Sequence, residues 1–209
     1  MELVEETHPI FIVDGWLPDN YEDIREEFLA YAQNPNITRL DFAFAAARFK
    51  TTLRDGHMSG WGAFWDDDSF VHPAIFGGLL DVLWAEKNGE LFLRDENGSM
   101  TEYRVIEIGG VPVQQVFAVV DRYHYGENEV ARVANYITFS RFGDIIQRAG
   151  GVINGASVIL TLSNNGIPSA MEAAILSVEE IISDAESDDA DSCPDFIIRH
   201  EWIGDDIFS

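Results

Sequence analysis

The chain has 209 residues, with 37 acids against 13 bases, a formal net charge of -24, 46% hydrophobic and 12% aromatic residues. That much core-forming material excludes an intrinsically disordered chain despite the charge. The shortage of Lys and Arg excludes direct nucleic-acid binding through a broad basic surface. Apolar runs such as Ala74 to Leu80 and Val116 to Val120 are too short to cross a bilayer, so no membrane partner is expected.

The length points to one globular domain over residues 1–182, an acidic linker over 183–195, and a C-terminal strand within 196–209 that returns to the domain. A lone Cys193 permits no internal disulfide, and the acidic start Met1-Glu2-Leu3-Val4-Glu5-Glu6 has no apolar signal-peptide core. An intracellular, cytoplasmic setting is expected. Each half of the chain carries a net -12: 20 acids and 8 bases over residues 1–104, then 17 and 5 over 105–209. Two stretches run against that trend. Asn36 to His57 holds Arg39, Arg48, Lys50 and Arg54, and Arg122 to Ala149 holds Arg122, Arg132, Arg141 and Arg148.

In chain order, Pro9 to Asp14 reads as a short strand. Asp19 and Glu22 have capping-box spacing, and Tyr21, Ile24, Phe28 and Tyr31 follow on one helical face, ending at Asn34-Pro35-Asn36. Ile37 to Leu53 fits either period and is read as strand. His57 to Asp68 reads as a loop. Pro73 to Glu86 is expected to be a helix, with Ile75, Leu79, Val82 and Leu83 on one face and Asn88-Gly89 as its stop.

Glu90 to Asp95, Glu102 to Ile108 and Val111 to Tyr123 read as three strands of an antiparallel meander, separated by Asp95-Glu96-Asn97-Gly98 and Gly109-Gly110. Both faces of the third run are largely apolar, which predicts a central strand covered by helices. Val130, Val133, Ala134 and Ile137 have helical spacing, as do Phe142, Ile145, Ile146 and Ala149. Ser157 to Ser163 reads as a buried strand. Ser169 and Glu172 form a second capping-box pattern before a stripe of Met171, Ala174, Ile175, Val178, Ile181 and Ile182, which predicts a helix whose polar face is acidic. Phe196 to Ile203 reads as a late strand. The expected class is α+β, an antiparallel sheet of four to seven strands packed by amphipathic helices.

Signatures of chemistry are sparse. The five histidines are far apart in sequence, and the best local cluster is Asp121, His124 and Glu127, where a strand end would bring a carboxylate and an imidazole together. Asp66-Asp67-Asp68 resembles oxygen ligation of a hard cation but lacks the spacing of a calcium loop, and a solvated acidic loop explains it as well. GxSxG, P-loop and GxGxxG motifs are missing, and Cys193 lies among acids that disfavour its thiolate. Residues 11–30 (FIVDGWLPDNYEDIREEFLA) loosely resemble the opening of some iron/2-oxoglutarate oxygenases. The HxD pair those enzymes require is nowhere in the chain, so nothing of that family is transferred. No catalytic residue, metal or cofactor is assigned.

Trp61, Phe64, Trp65 and Phe70 crowd a Gly- and Asp-rich loop, as a lid over the core or as interface anchors. Together with Asp66, Asp67, Asp68, Glu172, Glu179 and Glu180 they make the expected binding surface. The charge then favours a non-catalytic acidic interaction protein, an inhibitor or immunity-type protein that mimics nucleic acid or otherwise meets a basic protein partner. Two alternatives stand beside it. One is a structural or assembly component, of a virus particle for instance, whose basic stretches dock on another copy in a homo-oligomer. The other is an enzyme with its site near Asp121, His124 and Glu127.

Overall fold

The computed structural model describes residues 17–54 and 77–177, together with Glu5, Pro9–Ile12 and Glu180. The expected linker and late strand lie outside these residues, as does the division of the chain into 1–182, 183–195 and 196–209.

Pro9–Ile12 forms a single helical turn, not a strand. A four-residue apolar run carries too little periodicity to separate the two, and what decides it is packing: Ile10 is buried and Phe11 meets Tyr21 edge-on at 5.1 Å. Helix α1 (Tyr21–Gln33) has the expected face, with Tyr21 and Ile24 buried, but its cap is Asn20 and no side chain caps its amides. Glu22 and Asp23 in the first turn complement the helix dipole instead.

Residues 37–53, expected as strand, form helix α2 (Arg39–Thr52). Thr38 Oγ1 accepts from the Asp41 amide and donates to the Asp41 carboxylate, fixing its start. The ambiguous period has a physical source. Ala43, Phe44 and Ala47 pack into the main core, while Phe49 and Leu53 pack with Tyr21 and Ile24 in a smaller one. A helix buried on two sides shows no clean single-face stripe.

A seven-stranded antiparallel sheet follows, in the order β1-β7-β6-β4-β3-β2 with β5 beside β4. Its strands are β1 (Leu79–Leu80), β2 (Trp84–Lys87), β3 (Glu90–Arg94), β4 (Met100–Ile108), β5 (Val111–Pro112), β6 (Ser157–Asn164) and β7 (Ile167–Leu176). Helices α3 (Val113–Tyr123), α4 (Glu129–Phe139) and α5 (Gly143–Arg148) lie between β5 and β6. The α+β class and strand number agree with the sequence. No helix of the described residues is long and apolar enough to cross a membrane.

Three further elements differ from expectation. The described part of the expected helix 73–86 is extended: Gly77 and Gly78 take φ of +70° and +83°, ending any helix, and β1 and β2 follow. Asn88-Gly89, both at positive φ, is the β2–β3 hairpin turn. The third meander strand is only β5, and Val113–Tyr123 is helix α3. Its buried residues Val113, Val116, Phe117, Val119 and Val120 form one helical face, so packing overrides the β preference of valine. The stretch from Ser169, expected as helix, is β7, because Asn165-Gly166 (φ of 50° and 82°) turns the chain back onto β6 across eight residue pairs.

The two ends of the sheet are halves of one segment. Leu79 and Leu80 pair with Leu176 and Ile175 of β7, and Trp84 to Lys87 pair with β3. Only Asp81, Val82 and Leu83 separate them, so this bent segment rolls the sheet into a partly closed barrel. Leu80, Leu91, Ile108, Val158 and Leu160 of the strands share one fully buried core with Val116 and Val120 of α3 and Ile146 of α5, and the Trp84 Nε1–H donates to Ile137 O at 2.9 Å. Phe44 meets Tyr123 edge-on at 4.8 Å, and the Arg148 guanidinium lies 3.7 Å over Phe44 while pairing with Asp41, which docks the α1–α2 hairpin on the barrel.

A Cβ on Gly78 would lie 2.4 Å from Ile175 Cγ2 and 2.8 Å from Leu176 O, at a left-handed φ. Gly110 has the same φ sign with nothing within 4 Å. In urea unfolding, Gly78→Ala is expected to cost about 3 kcal/mol or more, and Gly110→Ala only about 1 kcal/mol. Equal costs would refute the close β1–β7 seam.

Candidate interaction surface

Asp121 and His124, two of the three residues of the suggested enzyme site, make packing contacts between helices. Asp121 sits on the last turn of α3, not at a strand end, and accepts the Tyr136 hydroxyl at 2.7 Å. Burial and this carboxylate push the Tyr136 phenol well above its ordinary range, and its ring stacks on Phe117 at 4.0 Å. His124 is buried at the C-terminal cap of α3, with its ring stacked on Phe139 and its backbone carbonyl accepting from Asn135. Asp121 and His124 thus join α3 to α4. Among the described residues, no group of three His, Cys, Asp or Glu is placed to hold a metal ion.

The positive charges are largely turned onto the chain itself. Arg25 pairs with Glu5, Arg48 with Glu27, Arg104 with Glu90, Arg132 with Glu129, and Arg148 with Asp41. Arg94 donates to Gly98 O. Arg141 is buried, donating through Nε and Nη2 to Leu80 O at 3.2 and 3.0 Å. Loss of hydration lowers its pKa to about 10, with Asp81 acting in the opposite direction. The two stretches singled out as basic therefore offer fewer free cations than their composition implies.

Carboxylates dominate what is left. Glu22, Asp23 and Glu26 are exposed along α1, Asp95 and Glu96 at the β3–β4 turn, and Glu102 on β4. The charge is also less uniform than its even halves suggest. Residues 17–54 and 77–177 hold 18 acids and 12 bases, while the other 70 residues hold 19 acids and Arg199 alone. The segments contributing that surplus, at both termini and at 55–76, are shared between the halves, which is why the halves balance.

Among the residues expected to bind, Glu172 is exposed on β7, not on a helix face; it accepts from Ser157 Oγ at 2.6 Å, and its register partner on β6 is the exposed Ile159. The capping box expected of Ser169 and Glu172 is absent because both lie in β7, and Glu180 instead pairs reciprocally with Ser177. The Ser177 amide donates to its carboxylate at 2.7 Å, its own amide donates to Ser177 Oγ, and its pKa is lowered by that backbone hydrogen bond. Trp61, Phe64, Trp65, Asp66, Asp67, Asp68, Phe70 and Glu179 lie outside the described residues.

Sequence reasoning missed the outer edge of β7. The Ile175 amide bonds across to Ala156 O on the β6 side, whereas Ala174 O, one residue earlier, accepts from Asp81 on the β1 side. Backbone groups alternate sides along an antiparallel strand, so those of Glu172, Ala170 and Pro168 face the β1 side as well. β1 pairs only with Ile175 and Leu176, and no other described strand lies beside β7. Pro168, Ala170 and Glu172 are all exposed. The Asn165-Gly166 pair, a turn signal that the helical reading passed over, could have revealed this hairpin.

A scan against protein-family models finds no match, and a search of curated proteins returns no similar sequence.

Asp144, in the first turn of α5, has a buried Oδ2 with no hydrogen-bond partner among the described residues. Burial raises its pKa, against an attraction from Arg148, and Asp41 raises it further. The native state therefore holds this proton more tightly than the unfolded chain. Its contribution to stability falls as pH rises from the ordinary value of 3.8 through the elevated native pKa. Asp144→Asn is expected to flatten that fall and raise stability at pH 7 by on the order of 1 kcal/mol, read from urea midpoints at pH 4 and pH 7. A loss of stability confined to pH 7 would contradict it.

Proposed function

We infer that this protein is a non-catalytic, strongly acidic interaction protein, of inhibitor or immunity type, that binds a basic partner protein in the cytoplasm. One observation carries the reading: most of the described arginines are drawn into intramolecular contacts while carboxylates such as Glu22, Asp23, Glu26, Glu102 and Glu172 remain exposed. A surface whose cations are internally neutralised presents a field of one sign, which speeds encounter with a basic surface and disfavours acidic ones. Imitation of a phosphate array is one form this recognition takes. The same observation weighs against docking of an acidic neighbour copy through the basic stretches, since Arg48, Arg132, Arg141 and Arg148 are already engaged. The packing roles of Asp121 and His124 favour a binding role over catalysis.

The test is affinity capture with the full chain from its native cells, followed by pairwise titration of the purified partner. The expected partner is a basic protein whose affinity falls tenfold or more between 50 and 200 mM salt, roughly the sensitivity of a multi-charge interface. An acidic or neutral partner, or an affinity indifferent to salt, would overturn the reading.

A further inference from the structure

We propose that the outer edge of β7 from Pro168 to Glu172, which no described strand covers, takes up an extended basic segment of the partner as an added β-strand. The proposal rests on the reading above and gives it a place and a binding mode.

Three observations meet at this edge. The first is the hydrogen-bond inventory: Ala170 and Glu172 each turn an amide and a carbonyl outward, and Pro168 turns a carbonyl with no amide beside it. Unpaired groups in a row are a template for strand addition. The second is the stop at one end. Asp81 bonds Ala174 O, and β1 covers Ile175 and Leu176, so an incoming strand has room only from Glu172 toward the hairpin tip.

The third is charge and shape. From Ala149 to Ile198 there is no Lys or Arg, whereas Glu172 stands exposed on the strand itself. Ala170 and Ala174 are exposed and small, and Ile159 beside Glu172 is 40% exposed. A Lys or Arg side chain laid here stands directly beside Glu172, and the small Ala170 and Ala174 leave room for its apolar stem. Pro168 limits pairing with a second copy of the same edge, because it supplies no donor. The occupant is therefore a basic segment of another protein.

The test uses the full chain and a fluorescein-labelled octapeptide of alternating Lys and Val, capped at both ends, followed by anisotropy. Saturable binding is expected. Ala170→Pro removes one outward amide without touching the β6–β7 ladder, and should weaken binding at least tenfold; Glu172→Gln should weaken it several-fold. A peptide N-methylated at alternate residues should lose at least tenfold against the unaltered chain, and this arm decides the matter if Ala170→Pro disturbs folding. Equal binding of the plain and N-methylated peptides overturns strand addition while leaving the basic-partner reading intact. Binding of an alternating Thr and Val peptide in preference to the basic one refutes both. No peptide binding, or an edge-dependent dimer in light scattering, overturns the proposal.

Discussion

The fold hangs on the closure of the sheet by residues 78–87. One bent segment serves as both ends of the sheet, pairing with β7 through Leu79 and Leu80 and with β3 through Trp84 to Lys87. Its other side is sealed by the chain after α4: Leu80 donates to Arg141 O, Gly143 donates to Gly78 O, and the Arg141 guanidinium covers Leu80 O. Burying that guanidinium costs hydration, which its lowered pKa records. The two hydrogen bonds to a carbonyl that would otherwise be an orphan offset part of this. The seam also explains why Gly78 and Gly143 tolerate no side chain, since a Cβ on Gly143 would lie 2.3 Å from Gly77 O.

The same closure sets where the molecule is open. Because β1 is two residues long, it satisfies β7 only at its C-terminal end, and no other described strand pairs with the stretch toward the hairpin tip. Helices α3, α4 and α5 pack on the core side, joined by the Phe117–Tyr136 and His124–Phe139 stacks. The α1–α2 hairpin is held by Phe44, Asp41 and Arg148. Internal use of arginine for cohesion and external display of carboxylates are two sides of one arrangement, and the proposed partner chemistry follows from it.

The sequence was most legible where turn chemistry or a one-sided stripe left few choices. The meander over β3 and β4, helices α1, α4 and α5, and strand β6 all fall where their patterns place them. It was least legible where tertiary context outweighs local preference. Val113–Tyr123 is rich in β-formers yet lies as a helix because its valines share a face over the core. Ala170 to Ile175 has helical spacing yet pairs as a strand because β6 is waiting opposite. Residues 39–52 hide their helical period by facing two cores. Glu172 was picked out for its charge, but Ala170 and Pro168 carry no chemical signature. An edge exists only because a neighbouring strand stops, which depends on Leu79 and Leu80 some 90 positions earlier.

Amide hydrogen exchange of the full chain without partner tests this account most directly, because it reads sealed seam and open edge in one experiment. The amides of Leu80, Asp81 and Gly143 are expected to exchange as slowly as the core amide of Leu160. Those of Ala170 and Glu172 should exchange orders of magnitude faster, at rates set by solvent access. Slow exchange at Ala170 and Glu172, or fast exchange at Leu80 and Gly143, would contradict it.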